Sequence, residues 1–425
     1  MSAAIQTARA IIARHGEQLY HAIAPSDRLL DLERLSAHLG KALEVVRAEP
    51  LEAVAAKPGA YDAPFKAMVL IDRALLGADA LTFRNEAGET ETVTAADFRR
   101  LGKDAALLDF SASLGPPSTA ADRGGDLAAI AASLSRFTTR RMRARLDETL
   151  SIPPLPEAAR RIIALRANRN YEARELIRIV EADPSLASRL LGWANSALYN
   201  VREPVASIDD AITRVLGHEA VLNMALAIAI KEQLNVPAAH VRGLSPYWLE
   251  AMYSAATTEA LANLLPRRRP ALVEPGLAYL AGLLSNFGTL VIGHVFPPFY
   301  ARICRLQDAN RHLPHTHVDQ HALGIAREAF AAALLDAWRV PTPIVDAVRF
   351  QHAEYRIGPN HSYVALLRLA HRLLAAHGLS DAPVVPIDDA LADDLALSAG
   401  SIDDVMKLIE DSADELDGMA QALSA

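Results

Sequence analysis

ADPSLASRLLGWANSALYN, residues 182–200, is the stretch that decides how this chain folds. Asp183 is a helix N-cap by type, and Pro184 stands where the first helical residue needs no N–H. Leu186, Leu190 and Leu191 then point inward at helical spacing. Asn195 and Ser196 follow near the helix end, where short polar side chains cap a helix or bond a loop backbone. Upstream, Pro153-Pro154-Leu155-Pro156 is a stiff lead-in, and Tyr171–Ala182 is amphipathic through Leu176, Ile179 and Val180, with Asn170 as its N-cap. Downstream, Ser207-Ile208-Asp209-Asp210 is another acidic capping start, ahead of Ile212 and Val215. The pattern stays helical through Tyr247–Leu265, Gly276–Val295, Pro298–Ala309, Gly324–Trp338, Pro343–His352 and Tyr363–His377. Asp381–Pro386 breaks the array, and an acidic helical segment, Ile402–Leu423, follows.

The first 108 residues alternate differently. Thr7–Arg14 and Leu30–Leu39 have helical spacing, Leu43–Arg47 and Ala67–Ile71 are apolar strand runs, and Ala80–Arg84 with Glu89–Val93 forms a hairpin around a Gly-containing loop. Thr94, with Asp97 three residues on, caps a short helix. Residues 111–127 have linker composition, and Ala128–Leu150 resumes helical spacing with Arg140, Arg141, Arg143 and Arg145 near its end, a solvated face. The expected fold is an α+β N-terminal domain (1–108), a linker and connecting helix (109–140), an all-α domain (141–380) and a helical tail (381–425).

Composition excludes several classes. The chain has 425 residues, 51% hydrophobic and 22% charged, which suits two or three packed domains and not a disordered chain. A net charge of −8 argues against broad nucleic-acid binding. The lone Cys304 excludes an intrachain disulfide and a CxxC zinc site, and reads as structural. Without a signal segment or an apolar run of about 18 residues, a cytoplasmic location is expected, with no membrane partner. His312, His315, His317, Asp319 and His321 have the types and closeness to chelate zinc or nickel. Pro314 and the polar context place them in a loop, where solvated histidines binding metal only adventitiously are the expectation.

The ordered motifs Leu155-Pro156, Asp183-Pro184, Asn195-Ser196, Ser207-Ile208, Ala211-Ile212, Gly217, Trp248, Gly282-Leu283-Leu284, Gly288, Trp338, Pro341 and His352 resemble those of an HDOD domain over about 145–375. HDOD domains are helical output modules related to the HD metal-dependent phosphohydrolases. The resemblance implies a regulatory role in bacterial signalling. It also gives AGLLSNFGTLVIGHVF, residues 281–296, a meaning. In the hydrolases a His, a His-Asp pair and a late Asp hold the metal. Those positions fall here on Glu250, on Ser285 and Asn286, and on His371. Serine and asparagine bind divalent metals poorly, so neither a catalytic residue nor a metal is expected. The four side chains would either line a polar dent on the open side of the domain or be ordinary satisfied polar groups of the core. Trp193, Trp248 and Trp338 read as core anchors, and Gly282 and Gly288 as close-packing points.

DLERLSAHLG at 31–40 and KPGAYDAPFKAMVLIDRALLGADALTF at 57–83 are similar to the YbaK/prolyl-tRNA synthetase-associated editing domain. Lys57-Pro58-Gly59 and Pro64-Phe65 match its substrate loop, and Asp72 follows the next strand. The early strand region RHGEQLYHAI, 14–23, lacks the family's Lys. The resemblance therefore implies a sensory or docking domain. Candidate binding residues are Gly59, Pro64, Phe65, Asn195, Ser196, Trp248 and His352.

The leading expectation is a non-catalytic regulator that engages a signalling or regulatory protein, with a nucleotide as the other ligand class, no cofactor, and no tRNA. The alternatives are a trans-editing deacylase acting through the N-terminal domain and a divergent metal-dependent phosphohydrolase.

Overall fold

The computed structural model describes residues 5–46, 67–84, 90–94, 105–114, 155–166, 171–195, 201–231, 246–265, 273–295, 297–352, 358–387 and 389–424. The chain divides into two units.

The first unit draws its described residues from the chain up to 114 and from 298–324. Its strands are β1 (Ile5–His15), β2 (Gln18–Pro25), β3 (Arg28–Leu30), β4 (Glu44–Val45), β5 (Met68–Asp72), β6 (Ala80–Arg84), β7 (Thr90–Thr94), β8 (Ala106–Leu108) and β9 (Ser111–Ser113). The main sheet runs β7-β6-β1-β2-β5-β8, with β4 also on β1, and β3 pairs β9 separately. It is mixed: β1–β2 and β6–β7 are antiparallel, while β1–β6, β2–β5 and β5–β8 are parallel. The strand expectations at 67–71 and the 80–93 hairpin hold. Thr7–Arg14 does not: it is the middle of β1. Its alanines favour a helix locally, but Ile11, Ile12 and Thr7 are β-branched, and an eight-residue register with β2 outweighs local preference. The putting of 111–127 in a linker is also corrected, since Ser111–Ser113 is β9 and Phe110 is fully buried.

Asp72 explains that correction. Its carboxylate accepts from the Ala74, Phe110 and Ser111 backbone N–H groups and from the Ser111 hydroxyl, at 2.7–2.9 Å. Helix α1 (Leu32–Leu39) starts on an Asp31 cap and ends at Gly40, whose φ of 63° suits glycine. Asn310 is buried and pins β3 by accepting from Leu30 N–H and donating to Leu30 O. The segment expected to be a histidine loop is instead a helix over His315–Leu323, entered through Pro314. His312, ahead of this helix, meets Ser26 O at 3.0 Å, and His321, on it, meets Asp31 at 3.2 Å.

The second unit is helical. Its elements are α2 (Glu157–Arg166), α3 (Ala173–Glu181), α4 (Pro184–Ala194), α5 (Gly217–Lys231), α6 (Tyr247–Leu264), α7 (Pro275–Leu283), α8 (Phe287–Val295), α9 (Arg327–Ala337), α10 (Thr342–Phe350), α11 (His361–Ala376), α12 (Asp389–Asp394), α13 (Ala399–Asp411) and α14 (Ala413–Ser424). The Asp183 and Ser207 caps form as read. Two long helices do not. Gly276–Val295 breaks at Ser285-Asn286, and Ile402–Leu423 breaks at Ser412. Helix α6 is the centre of the unit, packed by α7, α11, α13 and α14. Gly282 lets α7 touch it: a Cβ there would lie 2.5 Å from Ser254 O. Gly288 likewise rests against the Arg327 backbone. Trp193, Trp248 and Trp338 are buried, the last against Phe287. Among the described residues, Ile208–Lys231 is long and apolar enough to cross a membrane by composition, and two-thirds of it is buried within the protein. The expected capping helix after Thr94 and the arginine run at 140–145 lie outside the described residues.

Candidate functional site

Glu250 and Ser254 lie one turn apart on α6, so they share a face. Ser285 and Asn286 form the break between α7 and α8. Leu283 ends α7, Ser285 N–H reaches Gly282 O at 3.2 Å, and Phe287 N–H reaches Leu284 O at 3.0 Å. A buried Gln351 side chain then donates to Ser285 O at 3.0 Å and fixes the turn. His371 arrives from α11. The four positions singled out in the sequence are therefore brought together, and a fifth, Ser254, completes them.

They meet as two hydrogen-bonded pairs. Asn286 Nδ2 donates to Glu250 Oε2 at 3.0 Å. Ser254 Oγ lies 2.9 Å from His371 Nε2 and 3.4 Å from Ser285 Oγ. Ser254 and Ser285 are buried. Arg327, at the start of α9, donates to Thr289 Oγ1 at 2.9 Å and brings its positive charge to bear on Glu250. The segment after α11 closes over the same carboxylate, with the Ser380 hydroxyl and the Asp381 backbone N–H both bonded to it. Burial, and then the nearby Asp381 carboxylate, push Glu250 up to about 7, against the pull of these donors and of Arg327.

This donor set does not fit the metal centre of an HD hydrolase. Such a centre needs several imidazoles and carboxylates converging on one point. Here the Glu250 carboxylate is bound to an amide, His371 Nε2 is engaged by a hydroxyl, and the two residues between them are neutral.

The remaining described candidates are engaged by other contacts. Asn195 donates to Leu191 O and Val205 O, each at 2.8 Å, and accepts from Val205 N–H at 2.7 Å, so its amide is spent on tying α4 to the following segment. Trp248 packs edge-on against Tyr247. His352 Nε2 meets buried Glu328 at 3.3 Å. Gly59, Pro64, Phe65 and Ser196 lie outside the described residues, as does the whole Lys57–Phe65 loop. Ser254, Arg327, Ser380 and Asp381 were not found from sequence. Only the i, i+4 spacing of Ser254 from Glu250 could have flagged the first.

The sequence profile of the HDOD domain matches residues 152–354. A crystal structure from Marinobacter aquaeolei VT8, named as a signal transduction protein, is 31% identical, covers 99% of this chain and 94% of its own, and superposes with a TM-score of 0.86. Residues 152–354 are an HDOD domain. An HDOD domain protein from Geobacter sulfurreducens shares the fold at 18% identity and a TM-score of 0.52, over 71% of this chain and 99% of its own. A Treponema pallidum (strain Nichols) protein is 25% identical over 243 residues, 56% of this chain, and this chain spans 45% of that protein's length. The HDOD match ends before His371 and Ser380, so the part of the site that closes over Glu250 lies beyond it.

Proposed function

We propose that this HDOD protein is a non-catalytic regulator in bacterial signalling, with the helical unit as a protein-interaction module. The N-terminal sheet unit serves as its sensory or docking part, and the likeness to the YbaK editing fold is kept there for binding, not deacylation. One observation carries the reading: the positions that hold metal in the related hydrolases are turned on one another, Glu250 to Asn286 and His371 to Ser254. A side chain already satisfied in this way must give up its hydrogen bond before it can ligate a metal. The partner is a signalling or regulatory protein, with a nucleotide as the second ligand class.

The test is the metal content and phosphodiester turnover of protein purified without a metal-affinity tag, in added manganese. The expected result is substoichiometric metal and no turnover above buffer. Stoichiometric metal, with turnover lost in Glu250→Ala, would overturn the reading. Deacylation of mischarged tRNA by the full chain would instead restore the editing alternative.

A further inference from the structure

We propose that the segment 381–387 and the exposed stripe of α13 together form a docking surface for a basic, amphipathic segment of a partner protein. The inference rests on the interaction role proposed above and names the surface and the chemistry of its occupant.

The first observation is misplaced apolar surface. After α11 the chain turns at Gly378 and runs back along that helix, where Arg372 holds Pro386 O at 3.2 Å. This strap has neither helix nor strand, and it turns its large side chains outward. Val384 is 68% exposed, Val385 42% and Ile387 36%. Two prolines, Pro383 and Pro386, stiffen it, so an occupant would meet a segment already ordered in part. On α13, Leu408 is 56% exposed. Single exposed leucines are ordinary, but four large apolar side chains carried by two linked elements are not. The two elements approach each other at the end of α11, where His377, which precedes the strap, meets Glu410, two residues from Leu408 and on another flank of α13, at 2.9 Å.

The second observation is charge. From Gly378 onward the sequence has twelve Asp or Glu residues against the single Lys407, a net charge of −11 where the whole chain has −8. Everything before Gly378 is therefore net positive, and the acidity of this protein is concentrated around the exposed apolar side chains. The pattern is specific on α13. Asp404, Leu408 and Asp411 are exposed at i, i+4 and i+7, so an apolar side chain stands between two carboxylates on one face. Asp381 is exposed at the root of the strap.

These two features choose the occupant. A field of this sign repels nucleic acid and anionic lipid. It also disfavours the same surface of a second copy. The outward valines need an apolar stripe, and the carboxylates around them need cations. A helix with Leu on one side and Lys or Arg along its flanks supplies both. Docking there also bears on the site around Glu250, because Ser380 and Asp381 at the root of the strap are bonded to its carboxylate.

The test uses the full chain and a fluorescein-labelled peptide with Leu and Lys at helical spacing, read by anisotropy. Saturable binding is expected. It should weaken about tenfold in Val384→Ser/Val385→Ser and again in Asp404→Asn/Asp411→Asn, and fall as salt is raised. All four side chains are exposed, so the variants should keep the wild-type circular dichroism and melting temperature. Absence of saturable binding overturns the proposal. So does unchanged affinity in either variant, equal binding of a lysine-only peptide of the same charge, or a strap-dependent affinity for phosphatidylserine vesicles, which would make the surface a lipid site. Each of these leaves the metal and turnover result standing, so the docking surface and the non-catalytic reading fall separately.

Discussion

Glu250 and Glu259 sit on the same helix, and burial pushes both up to about 7, yet they belong to different kinds of centre. Glu259 faces Arg166, a buried guanidinium that also binds Glu219, donates to Gly276 O and stacks on Tyr279 at 4.3 Å. Those contacts join α2, α5, α6 and α7 through one cation. Glu250 is held by neutral donors: the Asn286 amide, the Ser380 hydroxyl and a backbone N–H. The first is an ion-pair clamp that fixes the bundle. The second is a set of exchangeable hydrogen bonds, partly from a surface strap. The difference teaches that two glutamates raised to the same value on one helix can be held in opposite ways, one by a cation and one by neutral donors.

The largest expected effect breaks the clamp. Arg166→Met leaves Glu219 and Glu259 without their cation, and because Glu219 is 61% exposed and Glu259 25%, the loss is discounted from that of a fully buried pair to about 2–3 kcal/mol. Urea unfolding should show it as a lower midpoint with unchanged slope. A loss below about 1 kcal/mol would mean that the cluster is solvated and does not hold the four helices together.

Next comes the contact that positions the other centre. In Gly282→Ala the new methyl meets Ser254 O and Ala255 Cα, backbone atoms that cannot swing aside. Overpacking of this kind costs about 1–3 kcal/mol. Because Ser254 and Glu250 are on the displaced face, the variant should also shift the His371 imidazole resonances. A wild-type melting temperature would show that α7 and α6 can separate freely.

The pH dependence separates the two glutamates. A carboxyl whose folded-state value is raised contributes its stability below the unfolded value, near 4.5, and loses it as pH rises through about 7. Stability should therefore decline between about pH 4.5 and 7. Glu250→Gln keeps a side chain of the same shape and removes the ionisation. It should flatten part of that slope and stabilise the protein at pH 8 by on the order of 1–2 kcal/mol. Glu259→Gln should flatten the slope as well, but it gives up half of an ion pair, so its net gain at pH 8 should be smaller. Equal gains would mean that Arg166 contributes nothing to holding Glu259.

Much of the helical unit was legible because its signals are local. Asp183-Pro184 and Ser207 mark helix starts by residue type alone, and Gly282 and Gly288 mark close approaches. What failed was decided at a distance. The strand Ile5–His15 has alanines enough for a helix, and its pairing with β2, β4 and β6 makes it extended. The break at Ser285-Asn286 is hidden inside a continuous apolar pattern and is fixed by Gln351, 66 residues away. At the candidate site, the family comparison indicated Glu250, Ser285, Asn286 and His371, but not their partners. Ser254 and Arg327 are ordinary residues in helical runs, and nothing in their neighbours along the chain announces which carboxylate or imidazole they will face.

The smallest effect asks whether the site around Glu250 is one network or two. Ser254→Ala removes the hydroxyl from His371 Nε2 and should cost about 0.5–1.5 kcal/mol, the net worth of one neutral hydrogen bond. Asn286→Ala removes the amide from Glu250 and should cost a similar amount. The two bonds share no atom, but they meet at consecutive residues, since Ser254 also approaches Ser285. Groups in one polar network couple by about 0.5 kcal/mol or more, whereas independent sites add within about that margin. A double-mutant cycle in urea should therefore show coupling. If the turn at Ser285-Asn286 transmits nothing, the two losses will simply add, and Glu250 and His371 are then separate, locally satisfied polar groups that share only a location.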